Sequence, residues 1–336
     1  MVEKSGKTSL EREAAIEEGL EHRLEASARR ARHYFDSARA PNTVKAYKSD
    51  LTDFETWAKV DAGGISTLPA SPETVAVYIG ELAGRGLKAA TINRRLTAIS
   101  VMHKAARVES PTEDQRVRDV LKGIRREHGS YQQGAAALLT STIRRMILAM
   151  PDDTDKEQKA SARDAALLLV GYAGAFRRSE LASLRVKDVE FTEEGLTILL
   201  RRSKTDQEGR GLRKGLPYGS NRQTCPVRSL KAWLEVLGRE EGALFCRIDR
   251  YGNIGDGISD RAICDVVKKR ARNAGLDPAR YSGHSLRAGL ATEAAAAGVP
   301  EKSIMRQGDW KNIATVMRYV REGTLFENNA AASVGL

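Results

Sequence analysis

The chain has 336 residues, of which 41% are hydrophobic and 29% charged, and its formal net charge is +11 at pH 7. A chain of this length is too long for one small core and favours two domains. A basic excess of this size favours a polyanionic partner, most simply a nucleic acid, although a generally basic soluble protein can have the same composition.

The cysteines and the apolar segments argue against several other classes. Cys225, Cys246 and Cys264 form no CxxC or CxxH pair, which argues against a disulfide framework and a zinc site. The first residues lack the apolar run of a signal peptide. The longest nearly apolar run, residues 165–176, is too short to span a bilayer and is typical of a buried helix. We therefore expect a cytoplasmic protein without a membrane partner.

The first part of the chain is predicted to be helical. Residues 1–40 form a charged extension in which acidic and basic side chains nearly balance. From residue 43 the apolar positions recur every three or four residues and share one helix face, namely Val44, Tyr47, Leu51, Phe54 and Ala58. Three further helices follow, the first of them with Ser71 as its N-cap. Residues 41–128 are therefore predicted to form a four-helix bundle.

The outer faces of this bundle are predicted to be basic. Lys45 lies off the apolar face of the first helix, and Arg94 and Arg95 lie off that of the third. Residues 85–128 contain 11 Lys and Arg against 5 Asp and Glu. Such a local excess is typical of a surface that binds phosphates.

A polar, glycine-containing linker is predicted at 129–139, followed by a second domain at 140–336. Short strands are predicted at 186–191 and 196–203, and a turn-rich basic segment, 204–217, leads to a third. Helices are predicted at about 225–237, 259–274, 284–297, 300–306 and 312–320. The expected fold is thus mainly α with a small β-sheet in the second domain. Two basic modules on a flexible link favour a two-domain clamp around a DNA duplex.

An arginine and a glutamate follow the longest apolar run. Arg177 and Glu180, in "GAFRRSELASL" (174–184), are three residues apart and are neighbours on a helix face. Such a pair is commonly a surface ion pair of little energetic value. The preceding run is apolar enough to be buried, however, and an arginine that emerges from buried structure is held rigidly. The residues alone leave both interpretations open.

The stretch "SGHSLRAG" (282–289) places His284 and Arg287 on one helix face. A single histidine of this kind is more often structural than catalytic. A metal site would need two or three further ligands at regular spacing, and the sequence offers none. Ser285 as a nucleophile would need a strained turn of the G-x-S-x-G kind, which is absent. Binding of an anion and burial in a core both stay open.

Three further residues have side chains that could take part in catalysis or binding. Trp310 and Tyr319 lie in "RQGDWKNIATVMRYV" (306–320), where aromatic side chains are ordinarily part of a core. Lys204 follows the second predicted strand, where a lysine is ordinarily solvated. None of the three indicates a function by itself.

The order of these residues along the chain connects them. Arg-x-x-Glu, a turn lysine, His-x-x-Arg, and then Trp and Tyr near the C-terminus resemble the constellation of the tyrosine recombinases, the phage integrase family. The segments "FRRSEL", "GHSLRAG" and "GDWKNIATVMRYV" are similar to sequence motifs of the family. The match covers the whole second domain. The helical bundle resembles the family's core-binding domain. The departures are the N-terminal extension and the composition of the basic turn.

The resemblance implies a site-specific DNA recombinase that cleaves and rejoins strands through a 3′-phosphotyrosyl intermediate and exchanges them through a Holliday junction. Tyr319 would be the nucleophile, and the other catalytic residues would be Arg177, Glu180, Lys204, His284, Arg287 and Trp310. The arginines would bind phosphate oxygens, and Lys204 would protonate the leaving 5′-oxygen. His284 would donate a hydrogen bond to the phosphate or accept the tyrosine proton. No metal, ATP or other cofactor would be required.

The resemblance also implies partners. Lys45, Arg94, Arg95 and Arg280 would face double-stranded DNA that carries inverted-repeat recognition sites. A monomer or dimer would bind one site, and a homo-tetramer would join two, with the tail 324–336 docked on a neighbouring protomer. Such a protein would be encoded by a bacterium, phage or plasmid and would act in the cytoplasm on the nucleoid.

Two alternatives remain at this point. A type IB topoisomerase or a hairpin-forming strand transferase uses similar chemistry with another outcome. A DNA-binding regulator with a vestigial pocket would have no activity, and the intact set of catalytic residues argues against it.

Overall fold

The computed structural model describes residues 40–129, 134–201, 203, 206, 211–325, 331 and 334. The chain divides into two compact units, Met1–Gln132 and Gln133–Leu336, and the division falls inside the predicted linker. Apart from Ala40, the charged extension lies outside the described residues. The tail is described only at Thr324, Leu325, Ala331 and Val334.

The first unit contains four described α-helices, and its sequence accounts for how some of them begin. The Ser71 side chain accepts a hydrogen bond from Thr74 N at 3.1 Å, and Asp114 caps the last helix in the same way, which satisfies backbone donors at the helix ends. The elements are α1 Pro41–Val60, α2 Pro72–Gly84, α3 Ala89–Ala105, the 3₁₀ turn Pro111–Glu113, and α4 Gln115–Glu127.

Aromatic rings form the centre of the first core. The ring of Phe54 lies 4.7 Å from that of Tyr78 and 6.1 Å from that of Trp57, centroid to centroid. Val44 was expected on the buried face of α1, but it is 46% exposed. Among the described residues of α1, full burial begins only at Asp50, six residues later.

The second unit is larger and contains all the described strands. Its helices are α5 Thr140–Leu148, α6 Asp155–Ala173, α7 Arg178–Ser183, α8 Pro226–Leu237, α9 Asp260–Asn273, α10 Gly283–Ala296, α11 Glu301–Gly308 and α12 Ile313–Gly323. Its strands are β1 Val189–Phe191, β2 Gly195–Leu200, β3 Leu212–Pro217, β4 Cys246–Ile248 and β5 Ile254–Gly257. The prediction of a mainly helical chain with a small sheet is confirmed.

The sheet corrects two details of the prediction. Strands β1, β2 and β3 form an antiparallel sheet in that order, with Ile198 of β2 paired to Lys214 of β3. The end of the predicted turn, 204–217, is therefore a strand. A lysine at an inward position hid the alternating pattern, because Lys214 and Leu216 are the buried residues of β3. The hairpin of β4 and β5 was not predicted, since its strands have only 3 and 4 residues.

The end of the predicted linker belongs to the second unit. Ala136 N donates to Arg280 O at 2.8 Å, and Leu138 N donates to Ser285 O at 2.9 Å. Leu138 is fully buried. A Cβ at Gly289 would lie 1.9 Å from Leu138 O, so only glycine permits this approach. Residues 136–138 are thus packed structure, and the linker is shorter than predicted.

A separate apolar cluster of this unit includes two of the candidate catalytic residues. It contains small side chains from α10 together with Trp310, Val316 and Tyr319. The larger core of the unit surrounds Trp233, whose indole N–H donates to Leu244 O at 2.8 Å. In the part of the chain that the structure describes, no helix is both long and apolar enough to cross a membrane.

Candidate active site

Arg177 is positioned by the turn between α6 and α7. Ala175 in this turn has a φ of +46°, a left-handed conformation that is uncommon for a non-glycine residue. Arg177 then caps α7: its N–H donates to Glu180 Oε2 at 2.9 Å, and its Nη1 donates to Glu180 Oε1 at 2.5 Å. Glu180 is 3% exposed. The pair is therefore a rigid, mostly buried contact and not a loose surface ion pair.

His284 and Tyr319 are in direct contact, although 35 residues separate them. His284 lies in the first turn of α10, and Tyr319 lies in α12. The Nε2 atom of His284 is 2.8 Å from the Tyr319 hydroxyl. The phenol ring is 8% exposed, so its hydroxyl is held against the imidazole by the apolar cluster beneath it.

Arg287 is fixed by two contacts. Its Nη1 donates to Ala175 O at 2.6 Å, and its Cζ lies 3.8 Å from the centroid of the Trp310 ring. A guanidinium stacked on an indole gains cation–π attraction. Arg287 is 2% exposed. The turn before Arg177 and the ring of Trp310 thus hold the second arginine of the site.

Burial and charge shift two pKa values at the site. Partial burial of the imidazole, followed by the charges of Arg287, Arg318 and Arg177, lowers the pKa of His284 below its usual value. Its ring is therefore neutral at pH 7, and Nε2 can accept the hydroxyl proton. Burial, followed by the charge of Arg177, lowers the pKa of Arg287 to about 10. Arg287 remains a cation at neutral pH.

The position of the Trp310 ring requires a glycine two residues earlier in the chain. A Cβ at Gly308 would lie 1.9 Å from Cζ3 of the Trp310 ring. Trp310 is 8% exposed, and its ring centroid is 5.9 Å from that of Tyr319. The indole is therefore packed between the nucleophile candidate and Arg287.

Lys204 lies outside the described residues. Its neighbour Ser203 is described, and Ser203 Oγ donates to Asp309 Oδ2 at 3.3 Å. Asp309 also accepts a hydrogen bond from Arg177 Nη2 through its backbone oxygen, at 3.4 Å. Ser203, three residues after the end of β2, is thus near Arg177.

The four expected DNA-binding residues have different surroundings. Lys45 and Arg280 are exposed. Arg94 is half exposed and pairs with Asp50 at 3.0 Å. Arg95 is 16% exposed, and its Nη1 donates to Asp53 and, at 2.8 Å, to Tyr78. Arg95 is thus bound inside its own domain, which leaves Lys45, Arg94 and Arg280 as the accessible cations of this group.

Two residues near Arg177 were missed by sequence reasoning. Lys214 of β3 is 3% exposed and donates from Nζ to backbone oxygens. Asp309 carries a carboxylate 3.9 Å from Arg177 Nη1. Lys214 looked like one more cation of a basic turn, and only the period-two spacing to Leu216 could have indicated its burial. No sequence signal pointed to Asp309.

The site brings a phenol, an imidazole and two rigid guanidiniums together within the second unit. Such a set can bind an anionic ester and direct an oxygen nucleophile at it. Among the described residues, no three His, Cys, Asp or Glu side chains are grouped to hold a metal ion.

The phage integrase family matches residues 137–324 of this chain, and the N-terminal SAM-like domain of phage integrases matches residues 32–110. An integrase/recombinase XerD homolog of Selenomonas ruminantium is 39% identical over 90% of this chain and 87% of its own length. The Cre recombinase of Escherichia phage P1 is 28% identical over 83% of this chain and 84% of its own. The motifs by themselves predict that Cre is the most similar member, but over the whole chain the similarity to Cre is the weaker of these two.

Solved structures have the same fold. The Tn1549 transposon integrase in complex with transposon right-end DNA gives a TM-score of 0.61 at 16% identity, over 91% of this chain and 96% of that one. A λ integrase dimer bound to a core site gives 0.57 at 13% identity, over 88% and 76%. The relatives and the family match together confirm the resemblance inferred from the motifs. The chain belongs to the phage integrase family and is a tyrosine recombinase.

Proposed function

We propose that this recombinase cleaves DNA by attack of Tyr319 Oη on a scissile phosphate and rejoins it by the reverse step. Tyrosine recombinases break and rejoin DNA, and site-specific recombination is the activity of this chain. The observation that carries the residue assignment is the 2.8 Å contact between His284 Nε2 and the Tyr319 hydroxyl, beside Arg287 and Arg177.

The reaction is a transesterification. A bond forms between Tyr319 Oη and phosphorus, and the bond between phosphorus and the 5′-oxygen breaks. The products are a 3′-phosphotyrosyl ester and a free 5′-hydroxyl. Because the ester keeps the bond energy, a 5′-hydroxyl from a second site can attack it without ATP. Two such exchanges, with a Holliday junction between them, recombine two sites.

His284 is proposed as the proton acceptor. The usual pKa of a tyrosine hydroxyl is about 10, so attack at neutral pH needs a base or neighbouring cations. The lowered pKa of His284 keeps the imidazole neutral at pH 7, and we propose the Nδ1–H tautomer, in which Nε2 is free to accept the proton of the Tyr319 hydroxyl. Deprotonation of the phenol would then convert the imidazole into a cation beside an anionic phosphate.

Arg177 and Arg287 are proposed to bind the two non-bridging oxygens. Both are held before DNA arrives, by Glu180 and by Ala175 O. Donors that need no reorganisation stabilise developing charge strongly, and one such donor is worth about 3–4 kcal/mol. Glu180 would act by orienting Arg177. Trp310 would orient Arg287 and offer its indole N–H to the phosphate.

Lys204 is proposed as the general acid that protonates the leaving 5′-oxygen. The nearby contact of Ser203 with Asp309 supports this role, because it brings the residue before Lys204 to the Arg177 side of the site. We propose that neither a metal ion nor ATP is required, since two guanidiniums supply the positive charge and the tyrosyl ester keeps the bond energy.

The exposed cations Lys45, Arg94 and Arg280 are proposed to contact the phosphates of double-stranded DNA. Their exposure and the net charge of +11 support this. Arg95 is proposed to act indirectly, by fixing Asp53 and Tyr78 on the same helical unit. Affinity should then fall steeply with salt.

The assembly is proposed to be a homo-tetramer on two inverted-repeat sites, with the tail 324–336 docked on the neighbouring protomer. The exposed apolar side chains of Leu325 and Val334 support this. A variant truncated after residue 323 should still bind one site in a mobility-shift assay but should not join two. Normal joining by the truncated protein would contradict the tail's role.

The protein is proposed to act in the cytoplasm on the DNA of a bacterial nucleoid or of a resident phage or plasmid. Its named relatives come from bacteria and a bacteriophage, which supports this setting.

The test is to trap the covalent intermediate on unselected genomic DNA, so that the protein itself picks out its site. Genomic DNA fragments from the source are incubated with the protein, adducts are captured by denaturation, and the attached ends are sequenced. A recurrent inverted-repeat site is expected with wild-type protein, and no adduct with Tyr319→Phe. Relaxation of plasmids that lack this site would instead indicate a topoisomerase.

A further inference from the structure

Lys214 is a buried lysine that the proposed chemistry does not use. It lies in β3, where Arg213 and Gly215 on either side are exposed and Lys214 is 3% exposed. An ammonium removed from water is costly unless its protons are hydrogen bonded. Its presence at an inward position therefore calls for specific partners.

The partners are two backbone carbonyls from different helices. Lys214 Nζ donates to Gly174 O at 2.6 Å and to Gln307 O at 2.7 Å. Gly174 is the C-cap of α6, and Gln307 lies in the last turn of α11. Helix C-termini carry partial negative charge, which stabilises a cation there. The Phe176 ring lies against the same ammonium, with its centroid at 4.7 Å.

Each carbonyl belongs to a segment that leads into the active site. Gly174 is followed by Ala175, whose oxygen holds Arg287, and then by Arg177. Gln307 is followed within three residues by Asp309, whose backbone oxygen contacts Arg177, and by Trp310. The Gln307 side chain adds a second link, because its Nε2 donates to Ala173 O at 2.7 Å.

We propose that Lys214 is a positioning residue for DNA cleavage, whose ammonium joins the segment that carries Arg177 to the segment that carries Trp310. This proposal rests on the proposed roles of those two residues. Lys214 acts through the backbone and not on the phosphate. Without the ammonium of Lys214, the segment that carries Arg177 and the segment that carries Trp310 shift relative to each other, while the surrounding fold persists.

The charge of Lys214 gives the proposal a pH signature. Burial lowers the pKa of Lys214 to about 8, and the charged groups around it are Glu180 and Arg177 of the α7 segment, Arg287 of α10, and Asp309 after α11. The ammonium is present below that pKa and is lost as the pH rises through it. The advantage of the lysine should therefore fade above about pH 8.

The experiment compares Lys214→Met with Leu196→Ala in the full-length protein. Methionine keeps the length of the side chain and removes its charge and donors. Leu196 of β2 is 2% exposed and pairs with Leu216, two positions along β3 from Lys214, so its truncation lowers stability in the same sheet while it leaves the two hydrogen bonds of Lys214 in place. The probe is a nicked duplex carrying the site recovered by adduct sequencing, and the rate of covalent cleavage is measured in a single turnover.

Lys214→Met should slow cleavage about 10- to 100-fold, the size of a small displacement of catalytic groups, with DNA affinity within about twofold of wild type. The ratio of wild-type to variant rates should decline above about pH 8. Leu196→Ala should cleave at the wild-type rate at a temperature where it is folded. An equal defect in Leu196→Ala, or a pH-independent ratio, would overturn the proposal.

A second substrate separates positioning from acid catalysis. In a duplex whose scissile 5′-oxygen is replaced by sulfur, the leaving thiolate needs no proton donor. Lys204→Ala should recover on this substrate, and Lys214→Met should not. Recovery of Lys214→Met would make Lys214 an acid and refute the positioning role. If wild-type protein forms no Tyr319 adduct on either duplex, the proposed function fails, whatever Lys214 does.

Discussion

The Nε2 atom of His284 lies 2.8 Å from the Tyr319 hydroxyl, and this contact joins the start of α10 to α12. The imidazole has a lowered pKa because it is partly buried and lies near the positive charges of Arg287, Arg318 and Arg177. A neutral ring beside a phenol is suited to accept its proton. The contact therefore predicts a base already in place before DNA binds.

Cleavage should rise with pH through the pKa of His284. Protonated imidazole cannot accept the proton, so the rate is low below that pKa, which lies under the usual 6.5. The rate reaches a plateau above that pKa and, if Lys214 acts as proposed, declines again above about pH 8 as the Lys214 ammonium is lost. Arg318→Gln removes one of the charges that depress this pKa and should move the rising limb to higher pH. Arg321→Gln, an exposed arginine on the same helix, is the control. If the rising part of the pH–rate profile did not shift in Arg318→Gln, or if the rate fell with pH across the pKa of His284, the role of His284 as proton acceptor would be contradicted.

Arg287→Lys should lower the single-turnover cleavage rate about 10²- to 10³-fold, the usual cost of losing one preorganised donor. The ammonium keeps the charge but cannot stack on Trp310 and bond Ala175 O together, as the guanidinium does. DNA affinity should change little, because most phosphate contacts lie elsewhere. A lysine variant that cleaved normally would mean that charge alone is sufficient.

Gly308→Ala should displace Trp310, since the new Cβ would lie 1.9 Å from its ring. We expect cleavage to drop at least about tenfold through loss of the surface that holds Arg287. Gly255→Ala is the matched control, because its Cβ would be 3.9 Å from the nearest atom. Trp fluorescence and cleavage are measured together, and an unchanged rate in Gly308→Ala would contradict the stacking role.

Asp164 should be essential for stability but not for chemistry. Its carboxylate is fully buried and accepts from Arg163 at 2.6 Å and from Arg270 at 2.8 Å. Asp164→Ala would leave a buried guanidinium unpaired and should cost about 3–5 kcal/mol. Glu190→Ala, which breaks the exposed pair with Arg213, should cost less than about 1 kcal/mol. Urea unfolding compares them, and equal midpoints would refute the difference.

The catalytic candidates were predictable from sequence because their residue types and order are distinctive. His284 and Arg287 are three apart within one helix, which makes them neighbours on its surface. Arg177 and Glu180 are also three apart, and they meet because Arg177 caps the helix that carries Glu180. The helices were predictable for the same reason, since their apolar period is local.

Contacts between distant segments could not be predicted. Lys214 is buried by carbonyls that are 40 and 93 residues away in sequence, so its neighbours in the chain suggest only a basic turn. Arg95 is bound by Asp53, 42 residues earlier, and its local pattern suggested an exposed cation. The short hairpin of β4 and β5 has too few residues for a periodic signal.

The most direct test of the account is to identify the residue and the DNA end that are joined in the trapped adduct. The adduct is digested with protease and nuclease, and the remaining nucleotide–peptide is sequenced by mass spectrometry. The account predicts a 3′-nucleotide on the phenolic oxygen of Tyr319, together with a free 5′-hydroxyl on the other strand end. A nucleotide on another residue, or a link through the 5′-phosphate, would contradict it.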